Sequence, residues 1–214
     1  MRKLKLFSIL LLSSFFLFTS CVDYVQSISF DGENYNGYMR VTFSKGLLAV
    51  AEIDPEEELL TEEDIVNFPG DFKISEVSTE MEKGISLRFS ENKNNLSYEQ
   101  QKFIPIYDPT LDLYYIPFFL GEGENQEEIQ ESIENEEDEL TNGMTALMLS
   151  TTKCKIMIDK NVIPVINNVY FEGKDTEIDY KLSYFDYGNG YCIEIPFLLL
   201  VDDFPYDLTH IIVD

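Results

Sequence analysis

Carboxylates are the chemically capable groups that this sequence offers in abundance, with 40 Asp and Glu among 214 residues. Hard cations such as Ca²⁺ prefer several oxygen ligands, and weak Ca²⁺ sites are typical of extracytoplasmic modules. None of the acidic clusters has the regular spacing of an EF-hand loop, and a run of charge is more often a solvated surface. The sequence therefore leaves two alternatives: a protein that needs no cofactor, and a protein that binds calcium. The candidate metal ligands are Asp31 with Glu33 and Asn34, Asp108 with Asp112, Glu136 to Glu139, and Asp202 with Asp203.

Catalytic groups other than carboxylates are scarce. His210 is the only histidine, so a Ser-His-Asp or Cys-His catalyst would have to be built on it. Its neighbours Ile211 and Ile212 are more typical of a structural strand. Two facing carboxylates are sufficient for a glycoside hydrolase, but an abundance of acids makes that signal uninformative. We predict no catalytic residue and a protein that is not an enzyme.

Two of the three cysteines lie in strand-like runs of the C-terminal third. Cys154 lies within Lys153 to Ile158, and Cys192 lies within Tyr191 to Phe197. An even pair of cysteines in an oxidising compartment can form a disulfide. The sequence therefore makes Cys154 and Cys192 a candidate disulfide, with two separate buried thiols as the alternative.

The third cysteine ends an N-terminal segment with the features of an export signal. Three basic residues precede an apolar run from Leu6 to Leu17. This run is shorter than the roughly 20 apolar residues that a membrane-spanning helix needs. It is followed by Phe18-Thr19-Ser20-Cys21, which resembles the lipobox of bacterial lipoproteins. The resemblance implies that residues 1–20 are a lipoprotein signal peptide and that Cys21 is the lipid-attachment residue.

Lipid attachment would decide where the protein works. Each buried methylene contributes about 0.8 kcal/mol, and two or three acyl chains anchor a protein far more firmly than one. The resemblance thus implies a partner in the membrane itself, reached through N-terminal acyl chains, and a place in the cell envelope. Val22 follows the cysteine, where an Asp would retain some lipoproteins at the inner membrane, so we predict the outer membrane without choosing its face. An ordinary secretory signal with a chance cysteine is the alternative.

The composition excludes some partners and indicates a folded chain. The net charge is −25, and removal of the signal would take away three basic residues and no acidic ones. Such a chain repels phosphate backbones and anionic headgroups at long range, so we predict no nucleic-acid partner. The hydrophobic fraction of 44%, with 16 Phe and 13 Tyr, is far above that of disordered chains.

Period-two alternation of apolar residues recurs along the chain and predicts a mainly β fold. We expect an immunoglobulin-like β-sandwich with a few short helices, because short strands are repeatedly separated by turn residues. Hairpin turns are predicted at Ser44-Lys45-Gly46 and Gly188-Asn189-Gly190, and helical turns at 61–68 and 97–102.

A change of composition divides the chain. Residues 121–141 contain ten acids and no base, which predicts an acidic linker or a loosely docked helix. The flanking stretches, 21–120 and 142–214, are predicted as β-rich units packed together. Val25–Gly32 is similar to Ile166–Gly173 at a spacing of 141 residues, so the two units could be related by duplication.

These observations favour a membrane-anchored lipoprotein of the bacterial envelope that acts as a non-catalytic binding or structural module. Clustered exposed Tyr and Phe side chains would form its contact patch for an envelope protein partner. The alternatives are a calcium-dependent adhesin or ion-stabilised surface protein, and a carboxylate-based hydrolase.

Overall fold

The structure is a computed structural model that describes residues 22–50, 54, 71–118, 152–173, 179–200 and 209–214. The predicted signal peptide with Cys21, the predicted helix at 61–68 and the acidic segment 121–141 lie outside these residues. Within them the chain is mainly β, as the alternation predicts. No helix in this part of the chain is long and apolar enough to cross a membrane.

The described strands are short to medium in length, and the helices among them are single turns or little more. The strands are β1 (Val22–Phe30), β2 (Asn34–Ser44), β3 (Lys73–Ser78), β4 (Glu82–Asn92), β5 (Ile106–Asp108), β6 (Leu113–Pro117), β7 (Lys153–Asp159), β8 (Val169–Phe171), β9 (Tyr180–Lys181), β10 (Ser183–Asp186), β11 (Gly190–Pro196) and β12 (His210–Val213). The helices are α1 (Lys45–Val50), α2 (Tyr98–Gln101) and a 3₁₀ turn (Phe197–Leu200).

The strands form two sheets. The larger sheet has the order β10-β11-β7-β1-β2-β4-β3, and the smaller has the order β5-β6-β12-β8-β9. Every described pair of strands is antiparallel except β1 with β7, which is parallel. In this pair Tyr24 lies opposite Cys154, and Ile28 lies opposite Ile158. Strands from before residue 119 and after residue 151 contribute to both sheets, so the two predicted β-rich stretches share one fold. The similar segments Val25–Gly32 and Ile166–Gly173 contribute to strands of different sheets, β1 and β8.

One hydrophobic core lies between the sheets. Alternate residues of β1, β7 and β11 point inward from the larger sheet, and residues of β6, β8 and β12 meet them from the smaller one. A half-buried antiparallel strand shows this alternation because successive side chains point to opposite faces. The most deeply buried members include Tyr24, Ile116, Ile156, Ile158, Phe171, Ile193, Ile195 and Ile211.

The two predicted hairpins have different outcomes. Gly188 has a φ of +104° in the turn between β10 and β11, a conformation that glycine adopts without steric cost, so this hairpin is confirmed. The hairpin predicted at Ser44-Lys45-Gly46 is wrong, because β2 ends at Ser44 and helix α1 follows. The run Leu47–Val50 is too short for periodicity to separate a helix from a strand.

Gly37 marks a close approach between β2 and β4. It lies opposite Phe89, and a Cβ atom on it would be 2.0 Å from Cε1 of that ring. Phe89 cannot easily turn away, since Phe72 and Phe103 pack on it with ring centroids 5.6 and 5.5 Å away. A side chain at position 37 must therefore disturb this aromatic cluster.

We expect Gly37→Ala to lower the free energy of unfolding by about 1–3 kcal/mol through overpacking. Gly46→Ala is the matched control, because no atom lies within 4 Å of its Cβ position and alanine favours helix α1 by up to about 1 kcal/mol. Urea unfolding followed by circular dichroism measures both. Equal midpoints for the two variants would contradict the close approach.

Candidate functional site

The carboxylate of Asp31 is occupied by its own turn. Its Oδ1 atom accepts hydrogen bonds from the backbone N–H groups of Glu33 (2.9 Å) and Asn34 (2.7 Å). Both bonds lower the pKa of Asp31, and the bond from Asn34 has the larger effect. Glu33 points elsewhere and accepts a 3.5 Å bond from the side-chain amide of Asn92. This candidate cluster is therefore arranged to close the turn between β1 and β2.

The second acidic pair, Asp108 and Asp112, closes the turn between β5 and β6. Asp108 Oδ1 accepts bonds from the backbone N–H groups of Thr110 (2.7 Å) and Leu111 (3.3 Å). Asp112, in a left-handed conformation with a φ of 57°, accepts a 2.6 Å bond from the Tyr107 hydroxyl. That bond raises the pKa of Tyr107.

No cluster of three or more Asp, Glu, His or Cys side chains in the described part of the chain is arranged to hold a metal ion. Asp202, Asp203 and Glu136 to Glu139 lie outside that part. Calcium binding at these residues stays a prediction.

The candidate disulfide is not formed, since Cys154 and Cys192 are both free and buried. On the neighbouring strands β7 and β11, Cys154 lies opposite Ile195, and Cys192 lies opposite Met157. Three residues along a strand correspond to about 10 Å and to opposite faces of the sheet. A disulfide requires Cα atoms within about 7 Å, so this register excludes the bridge. Cys154 points into the core, and Cys192 points to the outer face.

A groove of about 470 Å³ lies beside helix α2 and the edge of the smaller sheet. A neighbouring groove of about 440 Å³ shares Gln101 and Ile106 with it. The larger groove is lined by Tyr98, Glu99, Gln101, Lys102, Ile106, Pro117, Phe118, Thr209 and His210.

Helix α2 presents the polar and aromatic side of this groove. Its start is fixed by a capping box, in which the Ser97 hydroxyl accepts from the Gln100 backbone and the Gln100 side chain accepts from the Ser97 backbone. The outward side chains of its single turn then meet. Lys102 Nζ lies 4.8 Å from the ring centroid of Tyr98 and 3.0 Å from a carboxylate oxygen of Glu99.

His210, the first residue of β12, also lines this groove. Its Nδ1 atom is 2.9 Å from the Thr209 hydroxyl, and its ring meets the edge of Tyr115 at a centroid distance of 6.3 Å. Backbone pairing opposite Pro117 fixes its position in the sheet. These contacts fit the structural role that the sequence predicts for it.

Exposed apolar side chains gather on the same edge. Tyr98 is 74% exposed and Ile106 is 58% exposed, and Tyr107 and Leu111 on the β5–β6 hairpin are exposed as well. Strand β5 is one of the two outermost strands of the smaller sheet within the described residues. An edge strand offers unpaired backbone groups, and exposed apolar side chains beside it suit contact with a polypeptide.

Comparisons with protein-family models, with curated proteins and with solved structures find no match for this chain.

The two buried cysteines generate a chemical prediction. Burial raises the pKa of Cys154 to about 12 and also raises the pKa of Cys192. Because the thiolate is the reactive form, neither residue should react with a maleimide in the native protein near neutral pH. Both should react after unfolding in guanidinium without reductant. If either thiol failed to react in the unfolded protein, it would indicate a disulfide between Cys154 and Cys192, which the sheet register excludes.

Proposed function

We propose that this chain is a lipid-anchored protein of the bacterial cell envelope that binds an envelope protein without catalysing a reaction. Its contact surface would be the groove and apolar edge formed by α2 and β5. We retain the outer membrane as its location and an immunoglobulin-like sandwich as the finer description of its fold. Two sheets over one core are compatible with that description.

The observation that carries the binding role is the exposed edge of the smaller sheet. Tyr98 and Ile106 line one groove, and each residue is more than half exposed. Neighbouring exposed aromatic and aliphatic residues are typical of contact surfaces, where burial by a partner removes them from water. Lys102 and Glu99 supply polar groups at the rim of this surface.

The lipid anchor is supported by the position of the first strand. The signal-like segment ends at Cys21, and β1 begins at Val22. Cleavage before Cys21 would therefore leave the described strands intact and place the acylated residue at the boundary of the fold.

Acylation can be tested by growing a lipoprotein-processing bacterium that expresses the full chain with alkyne-tagged palmitate. We expect the tag on the wild-type protein, and we expect Cys21→Ser to lose both the tag and membrane association. Cys192→Ser is the matched control and should keep both. A tagged Cys21→Ser protein, or an untagged wild-type protein, would reject the lipoprotein assignment.

The contact surface can be tested with a photo-crosslinking amino acid placed at Ile106 in living cells. A discrete adduct is expected at this position, and Tyr98→Ala should weaken it by removing the largest exposed ring of the groove. Val165 is the control position, because it is 62% exposed but lies in the loop before β8. Equal adducts at positions 106 and 165, or no adduct at position 106, would contradict the proposal that this surface binds a protein partner.

A further inference from the structure

The first strand of the fold starts without any spacer after the residue that would carry lipid. Val22 is the first residue of β1, pairs with Phe43 of β2 and is only 6% exposed. Cys21 is its covalent neighbour, and consecutive Cα atoms are about 3.8 Å apart. An acylated Cys21 would thus leave no flexible tether between the lipid and the larger sheet.

We infer that the protein is held end-on against a phospholipid bilayer, with the end of the larger sheet that contains Val22 facing the lipid. This inference rests on the proposed acylation of Cys21. It goes beyond that proposal because a lipoprotein with a long tether would have no fixed orientation. The end of the sheet at Val22 is called the anchor end below.

The topology determines what else lies at the anchor end. Strand β7 runs parallel to β1 and starts beside it, whereas β2 ends there and β4 begins there. The turn between β3 and β4 therefore projects from this end. Its Met81 side chain is 62% exposed, and the Met81 carbonyl accepts a 2.8 Å bond from the backbone N–H of Lys45. A flexible apolar side chain at this position is suited to the headgroup region of a bilayer.

Among the described residues, charge is nearly balanced at the anchor end. Four acids, Asp23, Glu76, Glu80 and Glu82, lie there with three bases, Lys45, Lys83 and Lys153. The opposite end of the sheet carries an excess of acids, namely Asp31, Glu33, Glu91, Asp159 and Asp186 against Lys93 and Lys160. Anionic headgroups would repel the second set more strongly than the first, so long-range electrostatics favours the same orientation as the anchor.

The length of strand β4 allows this orientation to be measured. It contains 11 residues, from Glu82 at the anchor end to Asn92 at the opposite end. A rise of about 3.4 Å per residue separates these ends by about 34 Å. Met81 and the exposed Asn94 flank the strand, so labels at these two positions report on opposite ends of one rigid element.

The test uses the acylated protein purified from membranes and reconstituted into vesicles of phosphatidylethanolamine and phosphatidylglycerol. Met81→Cys and Asn94→Cys are each labelled with a small fluorophore, and the native buried thiols are checked for background labelling on the wild type. A nitroxide quencher on the lipid headgroups reports contact with the surface. We expect loss of most of the fluorescence at position 81 and background quenching at position 94.

A third protein separates orientation from anchoring. Insertion of a Gly/Ser segment of about 15 residues between Cys21 and Val22 gives a flexible tether of about 21 Å root-mean-square length. This variant should still co-float with vesicles but lose the difference between positions 81 and 94. Equal quenching at positions 81 and 94 in the acylated protein without the Gly/Ser insertion, with co-flotation intact, would overturn the end-on inference alone. A wild-type chain that lacks acyl groups would overturn the proposed lipid anchor instead.

Discussion

The pairing of β1 with β7 is the constraint on which the rest of the fold depends. It is the only parallel pair among the described strands, and in the larger sheet it joins the strands that precede residue 119 to those that follow residue 151. Parallel strands need a long crossover, so this pairing cannot form until distant parts of the chain meet. The Tyr24 hydroxyl donates to Gln26 in the core, and the Gln26 amide donates to the Pro117 carbonyl of the smaller sheet. Strand β1 thus connects both halves of its own sheet and also the two sheets.

Local patterns predict the strands whose side chains alternate between core and solvent. Strands β1 and β7 follow this rule, because one face of each is buried and the other is less so. The apolar run from Val162 to Phe171 predicts one strand, yet only β8 at its end forms. Ile163 and Ile166 are buried from a loop, and burial from a loop leaves the same apolar composition as burial from a strand.

The candidate site was less accessible to sequence reasoning than the strands. Asp31 and Asp108 have the pattern of a metal cluster, but their carboxylates accept bonds from backbone N–H groups two and three residues ahead, as Asx turns do. Proline cannot donate to a β ladder, so Pro105 and Pro117 favour edge strands or bends; β5 lies at an edge of its sheet, whereas β6 is paired on both sides. Sequence alone could not bring Tyr98 and His210 to one groove, because only the tertiary fold relates residues so far apart.

The proposed lipid anchor beside β1 would also determine how mechanical load enters the protein. Force transmitted from lipid at Cys21 would act along the axis of β1, which is hydrogen-bonded on both sides to β2 and β7. Such a load shears both ladders together, whereas a load on an edge strand such as β3 or β10 meets only one neighbour. Strand β1 therefore has two roles, since it organises the core and also lies nearest the proposed lipid attachment. A flexible tether would remove the direct coupling of lipid to β1 but leave the packing of the core unchanged, so the geometry of anchoring can be altered without altering the fold.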